Sequence, residues 1–215
     1  MVEVAASLLS ANSACFKDEV ERAIQSGVDR IHLDVMDHHF VPNLTFGPKI
    51  CRDIRKEFPL LTIDVHMMTF HVESLMKEFI AAGASSITFH STATPDVERL
   101  LTTLQKHQIK AGLAINPNQQ LEDAIEPWLS KLDMILVMSV MPGFAGQTWV
   151  PSSTGVLQQC TKYLPNYPKL ILAVDGGINH NTAQRVRNSG AKILVSGSYL
   201  FSAPSMKDAV DQLKG

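Results

Sequence analysis

Cysteine is scarce in this chain. Cys15, Cys51 and Cys160 are three among 215 residues. They are odd in number, far apart and without a CxxC pair, which excludes a disulfide framework or a zinc knuckle and fits a reduced, cytoplasmic setting. An excess of one charge is missing too: 19 Lys and Arg face 21 Asp and Glu, a net charge of -2. Such a surface carries no field to hold nucleic acid or an anionic membrane, so neither is expected as a partner. No run is long and apolar enough to span a bilayer. The opening MVEVAASLLSANSA has no basic lead before its short apolar run and ends in polar residues, so it is expected to be a first strand, not a secretory leader. No GxGxxG follows it, which sets a dinucleotide site aside.

What is present is an ordinary globular composition, 45% hydrophobic and 19% charged, in a length that one α/β barrel fills. Periodicity repeats eight times as an apolar strand-like run followed by an amphipathic helical segment. The expected strands are 4–9, 30–37, 62–68, 85–90, 110–116, 134–140, 170–175 and 192–197. The expected helices are 17–26, 48–57, 72–82, 96–107, 121–127, 153–163, 181–189 and 206–213. Helix starts are marked at Pro95-Asp96, Asn181-Thr182 and Ser205, and stops at Gly27, Gly83 and Gly190. The phrases QSGVDRIHL, AAGASSITF and NSGAKILV repeat one device, a glycine-ended helix turning into a buried strand. Strands alternating with helices imply parallel pairing through right-handed crossovers. Eight such units predict a single-domain (β/α)8 TIM barrel over residues 1–215, with an open doubly wound sheet as the alternative.

The segment RIHLDVMD, residues 30–37, organises the rest. With a strand period of 2, Ile31, Leu33 and Val35 face one side while His32, Asp34 and Met36 face the other. Taken alone, His32 and Asp34 serve equally well as a buried hydrogen-bonded pair or as functional groups. In a barrel the active site forms at the C-terminal strand ends. There His32 and Asp34 are joined by His66 in DVHMM and by Asp175 in LAVDGG. Two imidazoles and two carboxylates form a mixed N/O site for one divalent metal ion, Zn2+ or else Fe2+, Mn2+ or Co2+, and ligand type does not choose among these. Strand seven lies across the mouth from strands two and three, so Asp34 and Asp175 would flank a ligand from opposite sides. Proton removal on one face and return on the other, beside a metal-stabilised oxyanion, is epimerisation next to a carbonyl.

Glycine turns follow the last three strands: MSVMPGFAGQ with Gly143 and Gly146, DGG with Gly176 and Gly177, and SGS with Gly197 and Ser198. Adjacent loops with exposed backbone N–H groups point to a phosphorylated substrate.

Along its whole length the sequence resembles the ribulose-phosphate 3-epimerase family. The matching motifs are ASLLSAN, IHLDVMDHHFVPNLTFGP, IDVHMM, ITFH, MSVMPGFAGQ, VDGGIN and VSGSYLF. The resemblance implies interconversion of D-ribulose 5-phosphate and D-xylulose 5-phosphate in the pentose phosphate pathway. It implies that His32, Asp34, His66 and Asp175 bind the metal, with Asp34 and Asp175 also the acid/base pair. Ser7 and His66 would contact the sugar. The backbone of Gly143, Phe144, Ala145 and Gly146, with Gly176, Gly177, Gly197 and Ser198, would hold the phosphate, and Met36, Met68 and Met138 would lie against the reacting carbons. A homo-oligomer is left open.

The chain departs from the family pattern at Ala6, Asn12, Met141, Ala145 and Ala173, where proline, aspartate, asparagine, glycine and glutamate are usual. The Cβ of Ala145 is expected to restrict positive-φ conformations of the phosphate loop. Met141 and Ala173 are expected to change the polar contacts behind Asp175. His38 and His39 are expected to face solvent or belong to a lid, His90 is left outside the ligand set, and Pro42, Asn43 and Phe46 are expected to shape a closing loop. The alternatives are a 3-epimerase of a related ketose phosphate such as allulose 6-phosphate, and a non-catalytic phosphate-binding or metal-binding barrel. A decarboxylase of the orotidine type would need a DxKxxD pattern, which is absent.

Overall fold

The computed structural model describes residues 1–215, with the side chain of Asp123 set aside. Alternation along each strand sorts its side chains into two cores. Outward, Val4, Ile31, Leu33, Ile63, Val65, Phe89 and Leu113 pack against the surrounding helices in one large cluster. Inward, a smaller cluster of Ala5, Ala114, Met134, Leu136, Met138, Ala173, Ile193 and Val195 fills part of the barrel. Each fully buried Leu or Ile in these layers contributes on the order of 2 kcal/mol.

Eight parallel strands close the barrel in sequence order. They are β1 (Glu3–Ser7), β2 (Arg30–Met36), β3 (Thr62–Met68), β4 (Ser86–His90), β5 (Lys110–Ile115), β6 (Met134–Met138), β7 (Ile171–Asp175) and β8 (Ile193–Ser196). The helices are α1 (Phe16–Gln25), α2 (Pro48–Glu57), α3 (Val72–Ala81), α4 (Val97–Lys106), α5 (Leu121–Ala124), α6 (Ser153–Thr161), α7 (His180–Asn188), α8 (Ser198–Phe201) and α9 (Met206–Lys214). This is the expected TIM barrel. Gly27, Gly83 and Gly190 take φ of 87°, 93° and 84°, the left-handed stop that the sequence predicts.

Several boundaries differ from expectation for local reasons. The first strand ends at Ser7, because its hydroxyl accepts from Leu9 N and turns Leu8–Ser10 into a 3-10 helix. Helix α7 starts at His180, one residue before the predicted Asn181-Thr182 pair: Asn179 and Thr182 form a reciprocal capping box, so Asn181 already lies inside. Asp96 makes no capping bond; its carboxylate pairs with Arg99 instead. The fifth helix stops at Ala124, and the chain continues as a 3-10 helix over Glu126–Lys131, where Pro127 has no N–H to give. Ser205 caps α9 as predicted, its hydroxyl accepting from Asp208 N. The short α8 was not expected.

Candidate active site

Inward residues of β1 to β4 form a continuous polar wall. Parallel register sets His32 beside Asp64 and Asp34 beside His66 across the β2–β3 ladder, and paired residues on one face of adjacent strands meet because the strands lie about 4.8 Å apart. Ser7 donates to Asp34 Oδ2 at 2.7 Å. His66 Nδ1 lies 3.2 Å, and His32 Nε2 3.4 Å, from Asp34 Oδ1. Asp175 reaches in from β7, its Oδ2 3.9 Å from both His32 Nε2 and His66 Nδ1. One donor atom from each of these four residues lies within 4.8 Å of the others.

The donor set fits a cation. His32 Nδ1 is engaged by Asp64 Oδ2 at 2.8 Å, while Nε2 is buried and makes no hydrogen bond among the described residues. A buried polar atom left in that condition is costly, and a metal ion is a partner that an imidazole nitrogen takes readily. Ligands about 2.1 Å from one ion sit at most about 4.2 Å apart, close to the 4.8 Å within which the four donor atoms lie. The cluster is able to hold a metal ion.

The two aspartates have opposite electrostatic surroundings. Burial pushes both carboxyls up, but at Asp34 the His32 and His66 rings outweigh it and hold the group well below the usual carboxylate range. At Asp175, burial is reinforced by the negative charge of Asp34, and the carboxyl is pushed up to about 6. His32 is driven by burial toward its neutral form, yet Asp34 and Asp64 prevail and raise it well above 6.5. Environments that separate two carboxyls in this way mark an acid and a base. A cation bound among them would draw both down.

Above the four residues opens a cavity of about 430 Å³. Ser7, Asp34, Asp175, Met36, Met68 and Met138 form its floor and walls, and its far side is built by Gly143 to Gly146, Gly176, Gly177, Gly197 and Ser198. His32 and His66 are fully buried behind the wall and do not line it. Gly177 has φ 60°, and a Cβ there would stand 2.8 Å from Trp149 N, so only glycine lets the two loops approach. The loop after β2 is braced on both flanks. Asp37 accepts from Phe70 N at 2.9 Å, and Asn43 Nδ2 donates across the mouth to Gly143 O at 2.8 Å. His38 and His39 are exposed, as expected.

Residues 3–201 match the model of the ribulose-phosphate 3-epimerase family. The chain belongs to that family. It is 39% identical over 212 residues to the ribulose-phosphate 3-epimerase of Buchnera aphidicola (subsp. Acyrthosiphon pisum), covering 98% of this chain and 92% of that one. It is 38% identical over 212 residues to the enzyme of the same name from Escherichia coli K12, covering 98% and 94%. Among solved structures, KGPDC from Streptococcus mutans superimposes with a TM-score of 0.74 at 16% identity, covering 99% of this chain and 95% of that one, a likeness of fold alone. The chain is therefore an enzyme of the epimerase kind.

Within this family frame the departures read differently from expectation. Ala145 does not have a positive φ, since the non-glycine residues that do are His38 and Gln108. Its Cβ therefore brings no backbone strain. Ala173 is 1% exposed and packs in the apolar interior, and Met141 is half exposed at the cavity rim. The Asp175 carboxylate receives no hydrogen bond among the described residues; its backbone carbonyl instead accepts from Ser139 N at 2.7 Å and Ser139 Oγ at 2.8 Å.

Sequence reasoning missed Asp64, which holds His32 and accepts from Ser86 Oγ at 2.5 Å. The signal was available: Asp64 stands two residues before His66 and so shares its inward face. It also left out His90, whose Nε2 lies 2.9 Å from Nε2 of His66.

Proposed function

We propose that this protein is a metal-dependent ribulose-phosphate 3-epimerase, interconverting D-ribulose 5-phosphate and D-xylulose 5-phosphate in the cytoplasm. The observation that carries the reading is the pair Asp34 and Asp175, set on opposite strands of one cavity in surroundings that separate their protonation. Asp34, held ionised, takes the C3 proton from one face of the substrate. Asp175, the carboxyl with the higher proton affinity, returns a proton to the other face, and in the reverse direction the roles exchange. A divalent ion on His32, Asp34, His66 and Asp175 would supply electrostatic stabilisation of the oxyanion that develops at the neighbouring carbonyl.

The remaining contacts follow from placement. Ser7 faces the sugar and is held by Asp34. His66, with no exposed surface, serves through the metal. Backbone N–H groups of the loops at Gly143–Gly146, Gly176–Gly177 and Gly197–Ser198 receive the phosphate. Met36, Met68 and Met138 give an apolar floor beneath the reacting carbons that keeps water away from the carbanion. The test is epimerisation in deuterium oxide, with D-ribulose 5-phosphate and allulose 6-phosphate assayed side by side. Deuterium is expected at C3 of D-xylulose 5-phosphate, with the pentose preferred. Unlabelled product would overturn the two-aspartate route, and preference for the hexose would overturn the substrate.

A further inference from the structure

One buried histidine beside the cluster has no role in the chemistry above. His90 ends β4, is 1% exposed, and points its Nε2 at Nε2 of His66, 2.9 Å away. The opposite nitrogen of His66, Nδ1, faces Asp34 Oδ1 at 3.2 Å and Asp175 Oδ2 at 3.9 Å. Two ring nitrogens at hydrogen-bond distance share one proton, so one ring donates N–H and the other accepts through its lone pair. If Nδ1 of His66 is the atom that meets a metal ion, its Nε2 must carry the proton. His90 must then accept at Nε2, which assigns its own proton to Nδ1.

The surroundings of His90 suit an uncharged acceptor. Its ring lies 5.1 Å from that of Phe40 at a 45° tilt and 5.1 Å from that of His66. It makes no ion pair with a carboxylate among the described residues, and its Nδ1 makes no hydrogen bond there. His32 is supported differently, by the carboxylate of Asp64 behind its Nδ1. Each candidate ligand histidine thus has its metal-distal nitrogen engaged, one by an anion and one by a neutral ring.

We propose that His90 is a positioning residue, the acceptor that fixes the Nε2–H tautomer of His66 and so aims the Nδ1 lone pair into the metal site. The inference rests on the metal reading of the cluster. Partners behind a ligand histidine are typically worth about 10- to 100-fold in metal affinity. Glutamine at position 90 can place an amide oxygen near the position of Nε2 and accept the same hydrogen bond, whereas phenylalanine keeps the ring shape but has no acceptor.

The experiment is Zn2+ titration against a competing chelator on the native protein, His90→Gln and His90→Phe, with thermal melts of the three metal-free proteins alongside. His90→Phe is expected to bind Zn2+ about 10- to 100-fold more weakly and His90→Gln to stay within about threefold of native. Native affinity in His90→Phe would overturn the inference while leaving the metal reading intact. A native protein that takes up no Zn2+ would overturn both. Should His90→Phe fail to fold, histidine nitrogen NMR of the Zn2+-loaded native protein decides. Protons on Nε2 of His66 and Nδ1 of His90 are expected, and the reverse placement would overturn the inference.

Discussion

The interior of this barrel has two unlike halves. From β1 to β4 it is polar, with Ser7, His32, Asp34, Asp64, His66, Ser86 and His90 all buried. From β5 to β8 it is apolar, filled by Ala114, Met134, Leu136, Met138, Ala173, Ile193 and Val195. Asp34 and Asp175 are the same residue type held by different halves. Asp34 accepts from Ser7, lies 3.2 Å from His66 Nδ1 and has the His32 ring beside it, and these hold it well below the usual carboxylate range. Asp175 rises from an apolar strand, gains no donor for its carboxylate among the described residues, and is pushed up to about 6. Burial raises both carboxyls, but one half supplies counter-charges and the other does not, so two identical carboxyls acquire different proton affinities.

The largest effect that would break this comparison is on turnover. Asp34→Asn and Asp175→Asn are each expected to lower kcat by about 10³-fold or more, since each removes one half of the proposed proton relay. Their stabilities should diverge. Asp34→Asn leaves His32 without its main counter-charge, a cost of about 1–3 kcal/mol. Asp175→Asn removes a carboxyl that burial disfavours, and the metal-free protein should melt at the same temperature or higher. Equal destabilisation by both would show that the two halves do not differ electrostatically.

A second pair separates metal affinity from packing. Asp64→Asn takes the anion from behind His32 and should weaken Zn2+ binding by about 10- to 100-fold. Leu136→Ala, in the apolar half, should cost about 2–5 kcal/mol in stability and leave Zn2+ affinity nearly unchanged. Denaturant melts and metal titrations on the two variants check both. A large loss of metal affinity in Leu136→Ala would mean that the apolar half shapes the cluster directly.

The smallest effect is on pH dependence without metal. Asp175 is raised from 3.8 to about 6, so the stability it contributes is complete below about 3.8 and is lost as pH rises toward 6. The raised His32 acts in the same direction above 6.5. The lowered Asp34 works oppositely, and its contribution disappears only in acid below 3.8. The melting temperature of metal-free protein should therefore fall from pH 4 to 6, the fall should shrink in Asp175→Asn, and Zn2+ should raise the melting temperature at neutral pH. A flat profile in the native protein would contradict the raised Asp175.

Much of this was legible in the chain. Strand alternation placed His32, Asp34 and Met36 on one face, and glycine stops located the helix ends. Alternation also put Asp64 on the inward face with His66, but only the β2–β3 register shows that it stands beside His32. His90 was kept outside the ligand set, as the donor grouping also has it, but its contact with His66, 24 residues away on the neighbouring strand, has no local signal. The effect of Ala145 was misjudged because a glycine-rich motif does not say which of its positions takes positive φ.

The sequence by itself determined the barrel, the strand ends where polar residues collect, and the residue types able to bind a metal, because periodicity and turn residues act over a few neighbours. Only the tertiary structure decided which carboxyl holds its proton more tightly, which histidine nitrogen is free and which loops are braced together. Those properties depend on desolvation and on contacts between strands far apart in the chain, and in this molecule they come from closing one polar and one apolar half into a single barrel.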